Sequence, residues 1–447
     1  MKVTRRAFVY QTFVVGPVVM ALGMETDRAE AQGPECTLPS PPPATRFIPN
    51  ESQVRTRLSA AELAAPGQAT KLQQFRDAVG LVRNLPPTNV ISWTKQIAQH
   101  CINCAPSNNN NIHFNWQFLP WHRAYLYFLE RILRKLGNHD DLRLPYWDWE
   151  NTASRVLPEI YAPSGQPLFW GNRGTLSPPR WPLSNAKVNV QPLLAIPSFQ
   201  TFGGTATEGQ PTPAAFSGPH ANVHNNFQPG DMADLQFSPR DPVFYAHHGN
   251  IDRLWTSWVK AGHTNPNFGQ ARVFFFDENR RWRFVLMNDL KDESKLGYKY
   301  STLMTPTTPV NQLRDFALQK TETHFKVPPA ATPMLMSDTP KPKYLVISKI
   351  RSIDRFGVQI TEFGVFAGTP PAVGTEAEKA PGYLGTVSRV RSGEHAHAGP
   401  LSASLEVTGK AGALQGDIEL TLAPLDDDGT VAAAPIQLVA DSIRLVG

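Results

Sequence analysis

Residues 219–258 read PHANVHNNFQPGDMADLQFSPRDPVFYAHHGNIDRLWTSW. His220 and His224 stand four apart, a spacing that puts both on one face of a helix. A His247-His248 pair follows the D-P-V-F-Y run, and Asp252 lies one turn further on. Phe244, His248, Ile251, Trp255 and Trp258 recur at intervals of 4, 3, 4 and 3, which is the buried stripe of an amphipathic helix. His248 is on that stripe, and its neighbour His247 sits about 100° away from it. His220, His224 and His248 therefore read as one inward-facing set, with His247 beside the site. Three neutral imidazoles around one ion suit copper, zinc, nickel or iron better than magnesium or calcium.

Upstream the same pattern recurs. Trp93, Ile97, His100 and Cys104 fall at intervals of 4, 3 and 4, so His100 points inward from a helix over roughly 90–101. A polar loop at 107–111 leads to His113 in HFNW. A second helix is expected to begin near Pro120 and to close at Gly137-Asn138. Its stripe is His122, Leu126, Leu129, Leu133 and Leu136. Two triplets emerge: His100, His113, His122 and His220, His224, His248. Helices of a four-helix bundle can bring two such sets face to face. A zinc hydrolase would usually show a carboxylate ligand or HExxH, and neither is present. An all-imidazole pair points instead to a coupled dicopper centre, which passes electrons from a catechol to O2.

The remaining chain sets the context. At 447 residues it has room for two or three domains, and 41% hydrophobic with 18% charged residues reads as globular. A formal charge of +5 with no basic block gives no reason to expect nucleic acid. Thr4-Arg5-Arg6-Ala7-Phe8 is a twin-arginine pattern, 13–24 is a short apolar core, and Ala29-Glu30-Ala31 is a cleavage site. Residues 1–31 thus read as an export signal for a periplasmic or secreted protein, too short in their apolar core to span a membrane. No second long apolar run follows, so no membrane association is expected after cleavage. The catalytic domain is assigned to 32–326 and a Pro-rich linker to 327–343. A β-rich domain occupies 344–447, where six alternating runs (344–350, 358–366, 383–390, 401–407, 417–422 and 436–446) predict an antiparallel sandwich or jelly-roll-like fold. Arg272 to Met287 predicts a hairpin turning at Asp277-Glu278-Asn279. Cys36, Cys101 and Cys104 are an odd set, leaving one thiol to explain in an oxidising compartment.

HCINC at 100–104, HFNWQFLPWHRAYLYFLER at 113–131, PHANVH at 219–224 and DPVFYAHHGNIDRLW at 241–255 together resemble the type-3 copper polyphenol oxidases, the tyrosinases and catechol oxidases. FFFDEN, LKDESKLGYKY, YLVISKI and ITEFGVFAG extend the resemblance to the plant-type two-domain architecture, here in a chain with a bacterial kind of export signal. The resemblance implies a mainly α catalytic domain with a dicopper core and a C-terminal β domain that covers the site in cis. It implies two copper ions held by the two triplets, O2 as co-substrate, and small phenols as substrates. It further implies a Cys104–His113 thioether and a Cys36–Cys101 disulfide. Phe216, Ala221, Asn225, Leu235 and Phe244 would line the pocket. Phe216 stands where many relatives carry a water-ordering Glu, and Ala221 where monophenol hydroxylases often carry Asn; Asn225 is the residue that would take up part of that role. Leu235 replaces a gating Phe and implies a more open mouth. A missing general base favours o-diphenol oxidation over monophenol hydroxylation. The alternatives are a full monophenol monooxygenase and a haemocyanin-like O2 carrier, against which the export signal and open gate argue.

Overall fold

In the computed structural model, residues 36–104, 112–174, 181–207, 212–320, 324–337, 341–356, 360–369, 371–390 and 400–447 are described. Residues 1–31, read as an export signal, and the stretch 107–111, read as a polar loop, lie outside them. The helical texture of 58–85 divides at Pro66 into α1, Ala60–Ala64, and α2, Ala69–Arg83. Ser59 caps α1 and shares a capping box with Glu62, each side chain accepting from the other's main-chain N–H. α3, Trp93–Cys104, and α4, Phe118–Gly137, carry the stripes through His100 and His122. α4 ends where Asn138 turns left-handed at φ 55°.

Among the described residues between α4 and α5 the helices are short turns, as the Pro and Gly content predicts. α5, Pro219–Asn225, follows Gly218, whose φ of 78° is open to glycine without a Cβ penalty. α6, Val243–Lys260, starts where Asp241 accepts from the Val243 N–H at 3.0 Å. Arg173 holds that carboxylate with two donors, at 2.6 and 2.8 Å. β1, Arg55–Arg57, pairs in parallel with β4, Tyr298–Tyr300, and the predicted hairpin is β2, Arg272–Phe276, with β3, Trp282–Leu286.

A buried ionic cluster locks α4 to α6. Asp252 accepts from Arg123 Nε at 2.5 Å, from the Tyr298 and Tyr300 hydroxyls, and from Arg57 Nη1 at 3.5 Å. Arg57 also lies 3.5 Å from the Tyr298 ring centroid, a cation–π contact. Asp252 does not pair with its neighbour Arg253, which reaches Glu150 instead.

The C-terminal half forms two four-stranded antiparallel sheets. One has the order Tyr383–Ser388, Glu362–Ala367, Leu420–Leu425, Ile436–Gln437. The other runs Leu401–Glu406, Tyr344–Ile350, Ala440–Val446, Asp315–Ala317. The last strand corrects the domain limits expected from sequence. Asp315–Ala317 pairs with Ala440–Val446, and Phe325–Lys326 with Asp417–Ile418, although both lie within 32–326. Ala331 and Leu335, in the stretch read as linker, are buried in the second core. These strands are two or three residues long, too short for an alternating pattern to reveal them. Tyr344, Val346, Val390 and Val446 pack into the catalytic domain's own core, so the two halves share apolar surface.

Candidate metal centre

α3 supplies His100, the segment before α4 supplies His113, and α4 itself supplies His122. α5 supplies His220 and His224, and α6 supplies His248. None of the six is more than 2% exposed. Ring centroids within the first triplet lie 5.0, 5.2 and 5.4 Å apart, and within the second 4.6, 5.1 and 5.6 Å. The triplets meet where the His122 and His248 rings stack at 4.2 Å and 11°. The helices and the segment before α4 thus bring the six rings into two adjoining groups.

Main-chain carbonyls orient several of these rings. His122 Nδ1 is 2.7 Å from the Phe118 oxygen, His220 Nδ1 2.9 Å from that of Phe216, and His224 Nδ1 2.6 Å from that of Met232. Nδ1 then carries the proton, and Nε2 presents a lone pair to the interior. Among the described residues, Nε2 of His220, His224 and His248 meets no hydrogen-bond partner. Buried, unpartnered ring nitrogens are costly unless something binds them, and a metal ion satisfies them. Burial pushes the His122 pKa to about 3 and the His224 pKa to about 4. Burial, reinforced by neighbouring imidazoles, holds His100, His113, His220 and His248 well below the ordinary histidine range. All six are neutral at pH 7, the form that ligates metals.

Aromatic rings wall the space between the sets. Phe216 lies 5.6 Å from His113 and 5.0 Å from His220, and Phe244 lies 5.0 Å from His100 and 4.2 Å from His248. Phe118 does not stand out in the sequence, yet its ring is 5.0 Å from both His122 and His220. Its place four residues before His122 is the signal that points to it. Ala221 is fully buried on α5.

Other expectations are corrected. Asn225 is tied to the C-terminal domain: Nδ2 donates to the Arg389 carbonyl at 3.0 Å. Leu235 is buried rather than an open gate, and its carbonyl accepts from the Cys104 thiol at 3.7 Å. His247 lies inside the cluster, with its ring 5.2 Å from His220 and 4.8 Å from His224. Trp149, unmarked in the sequence, donates its indole N–H to His247 Nδ1 at 3.1 Å. The Cys36–Cys101 disulfide is formed, with Cα atoms 5.4 Å apart. Cys104, outside that disulfide, is a buried thiol; its sulfur lies 3.2 Å from His100 Nδ1 and within 4.8 Å of a His113 ring nitrogen.

Two buried all-imidazole sets, stacked through His122 and His248 between helices, define a binuclear metalloprotein. The profile of the common central domain of tyrosinase matches residues 90–195 and 178–261. A chloroplastic polyphenol oxidase of Malus domestica is 30% identical over 322 residues, 62% of this chain and 54% of that protein. Aureusidin synthase of Antirrhinum majus is 28% identical over 347 residues, 64% and 62% of the two chains. The chain thus spans about half the length of the polyphenol oxidase it matches. The structure of latent apple tyrosinase superposes with a TM-score of 0.66 at 22% identity, over 91% of this chain and 100% of the other. Latent aurone synthase gives 0.67 at 21% identity, covering 92% and 93%. Residues 90–261 thus carry the common central domain of tyrosinase, and the fold is that of the latent polyphenol oxidases, a helical core with a C-terminal β domain. The two buried histidine clusters fit a pair of copper ions as cofactor.

Proposed function

We propose that the protein is an exported catechol oxidase. Two o-diphenols are converted to two o-quinones while one O2 is reduced to two waters. His100, His113 and His122 hold one copper; His220, His224 and His248 hold the other. The bound pair would carry electrons from phenol to O2. The protein's part is to keep six imidazoles neutral, to fix the Nε2 atoms of His122, His220 and His224 inward through main-chain carbonyls, and to exclude water with Phe118, Phe216 and Phe244. The observation that carries this reading is Phe216. Its ring stands between the triplets, against His113 and His220, where a carboxylate would have to sit to take a monophenol's proton. A copper-loaded sample assayed on tyramine and on its catechol tests it. Fast catechol turnover with slow, lagging tyramine hydroxylation is expected; lag-free hydroxylation at a similar rate overturns it.

The C-terminal domain is proposed to cover the site. Asn222 accepts from Ser388, Asn225 donates to Arg389, Ser217 donates to the Ser402 carbonyl, and Lys187 pairs with Glu362 at 3.0 Å. These contacts press on α5 while the six histidines lie buried. Limited proteolysis within 305–313, ahead of the Asp315–Ala317 strand that belongs to the C-terminal sheet, should raise activity; unchanged activity after the cut removes the covering role. Cys104 is proposed to join His113 once copper and O2 are supplied. The S–H and a ring C–H are lost, one S–C bond forms, and O2 takes both electrons and both protons to give H2O2. An intact mass two hydrogens lower, with Cys104 no longer alkylatable, supports it. Export rests on the twin-arginine pattern at 5–6, and no described helix is long and apolar enough to cross a membrane. Replacing Arg5 and Arg6 by Lys should leave the precursor in the cytoplasm.

A further inference from the structure

Four imidazoles, not three, compete for the second metal position. One ring nitrogen each of His220, His224, His247 and His248 lies within 4.8 Å of the others, and all four residues are buried. The stripe that singles out His248 does not by itself disqualify His247, whose ring stacks on His220 at 25° and meets His224 nearly at right angles. What separates the pair is the far side of each ring. Among the described residues neither nitrogen of His248 has a hydrogen-bond partner, whereas Nδ1 of His247 accepts from the Trp149 indole. An indole N–H only donates, so the nitrogen facing it must hold a lone pair. A neutral imidazole then has its proton on the other nitrogen, Nε2. Among the described residues that atom meets no hydrogen-bond partner. An N–H cannot ligate a metal.

Trp149 is held firmly enough to impose this. It is fully buried, and segment 145–150 is laid along α6. The Trp147 N–H donates to the Ala246 carbonyl at 2.9 Å, directly before the histidine pair. Glu150 accepts from Asn250 at 2.8 Å and from Arg253 at 2.5 Å, one turn and more beyond it. A Cβ on Gly249 would come within 3.1 Å of the Pro145 carbonyl, so the glycine lets the two segments touch. The contacts fix the rotation of α6 from both sides of His247.

We propose that Trp149 is a positioning residue which, by fixing the His247 tautomer, withholds the fourth imidazole and keeps a coordination position of the second copper open. The inference rests on the ligand set given under Proposed function. An open position is what separates a catalytic metal site from a closed, structural one. Freed from Trp149, His247 could place its proton on Nδ1 and offer Nε2 to the metal.

Three variants test this: Trp149→Phe, His247→Phe and the two combined. In copper-free wild type, long-range 1H–15N spectra should show His247 protonated on Nε2; protonation on Nδ1 overturns the proposal whether or not any variant folds. Trp149→Phe should shift that tautomer. It should also lower the visible absorption of the cobalt(II)-loaded protein, as an added ligand does, and reduce catechol turnover roughly tenfold to a hundredfold, the range for loss of a partner that orients a metal-site histidine. Adding His247→Phe should return the cobalt spectrum and most of the turnover, because the competing imidazole is gone. A double variant as impaired as Trp149→Phe alone overturns the proposal and leaves Trp149 a packing residue. Failure of the parent reading looks different: wild type would bind fewer than two coppers or oxidise no catechol, while the His247 tautomer is still read in the metal-free protein.

Discussion

The two histidine triplets have the same ligand chemistry and are held by different means. In the second, His220 and His224 face the carbonyls of Phe216 and Met232, and α5 is gripped from outside by Ser388 and Arg389. In the first, His122 faces the Phe118 carbonyl, but His100 leans on the Cys104 thiol, and the next residue along from His100 is tied to the N-terminal arm by the Cys36–Cys101 disulfide. Peptide carbonyls are indifferent to redox state; sulfur is not. The first half should therefore respond to reductants and oxidants, and the second to whatever moves the C-terminal domain.

The most severe way to break the comparison is to remove the contact between the halves. His122→Ala or His248→Ala should each cut copper from two ions to one, measured by atomic absorption, and abolish catechol turnover. Retained turnover with a single copper would dissolve the pair. Next in size is Asp252→Ala, which strips the carboxylate that joins α4 to α6 and strands Arg57 and Arg123 in the core. Denaturant titration should show a loss of about 3–5 kcal/mol, the range for breaking a buried pair from one side. Cys36→Ser should cost about 2–4 kcal/mol by releasing the closed loop, and copper should leave the first triplet before the second. Equal loss from both would remove the asymmetry.

Acid sharpens the picture for both halves together. Folding lowers the histidine pKa values, to about 3 at His122 and about 4 at His224, so the unfolded chain binds more protons than the native one below the ordinary value of about 6.5. The stabilisation is complete above that value and is lost as pH falls toward 4 and then 3. Each imidazole contributes a slope of about 1.4 kcal/mol per pH unit. The copper-free protein should therefore melt progressively lower from pH 6.5 downward, as followed by calorimetry. The mildest test is Glu362→Gln, which weakens a partly buried pair with Lys187 across the domain contact. A gain in basal activity of a few-fold is expected, as a pair worth about 1 kcal/mol would allow.

Much of the site is legible in the sequence because it is written in local periodicity. Intervals of 3 and 4 are enough to place His100, His122, His220, His224 and His248 on inward faces, and HFNW flags His113 by proximity. The same spacing reaches Phe118. Phe216 is marked through a resemblance, and the fold gives it neighbours on both sides of the centre. The surroundings of Leu235 and Asn225 are not legible because they are set by contacts far along the chain, a thiol at 104 and a carbonyl at 389. The domain limits shift for a similar reason: Asp315–Ala317 and Phe325–Lys326 are strands only because a C-terminal strand pairs with each.

The sequence by itself determined the helices, their inward faces, the number of imidazoles and the sandwich texture of the C-terminal half, since each follows from spacing within one segment. Only the tertiary structure decided how the halves meet, what each ring nitrogen bonds and which side of the site is covered. Those depend on hydrogen bonds between residues about a hundred or more apart, such as Trp149 to His247 and Asn225 to Arg389, and no local pattern encodes the partner. A stripe can turn a histidine inward; only the partner across the fold decides which of its nitrogens is left with a lone pair.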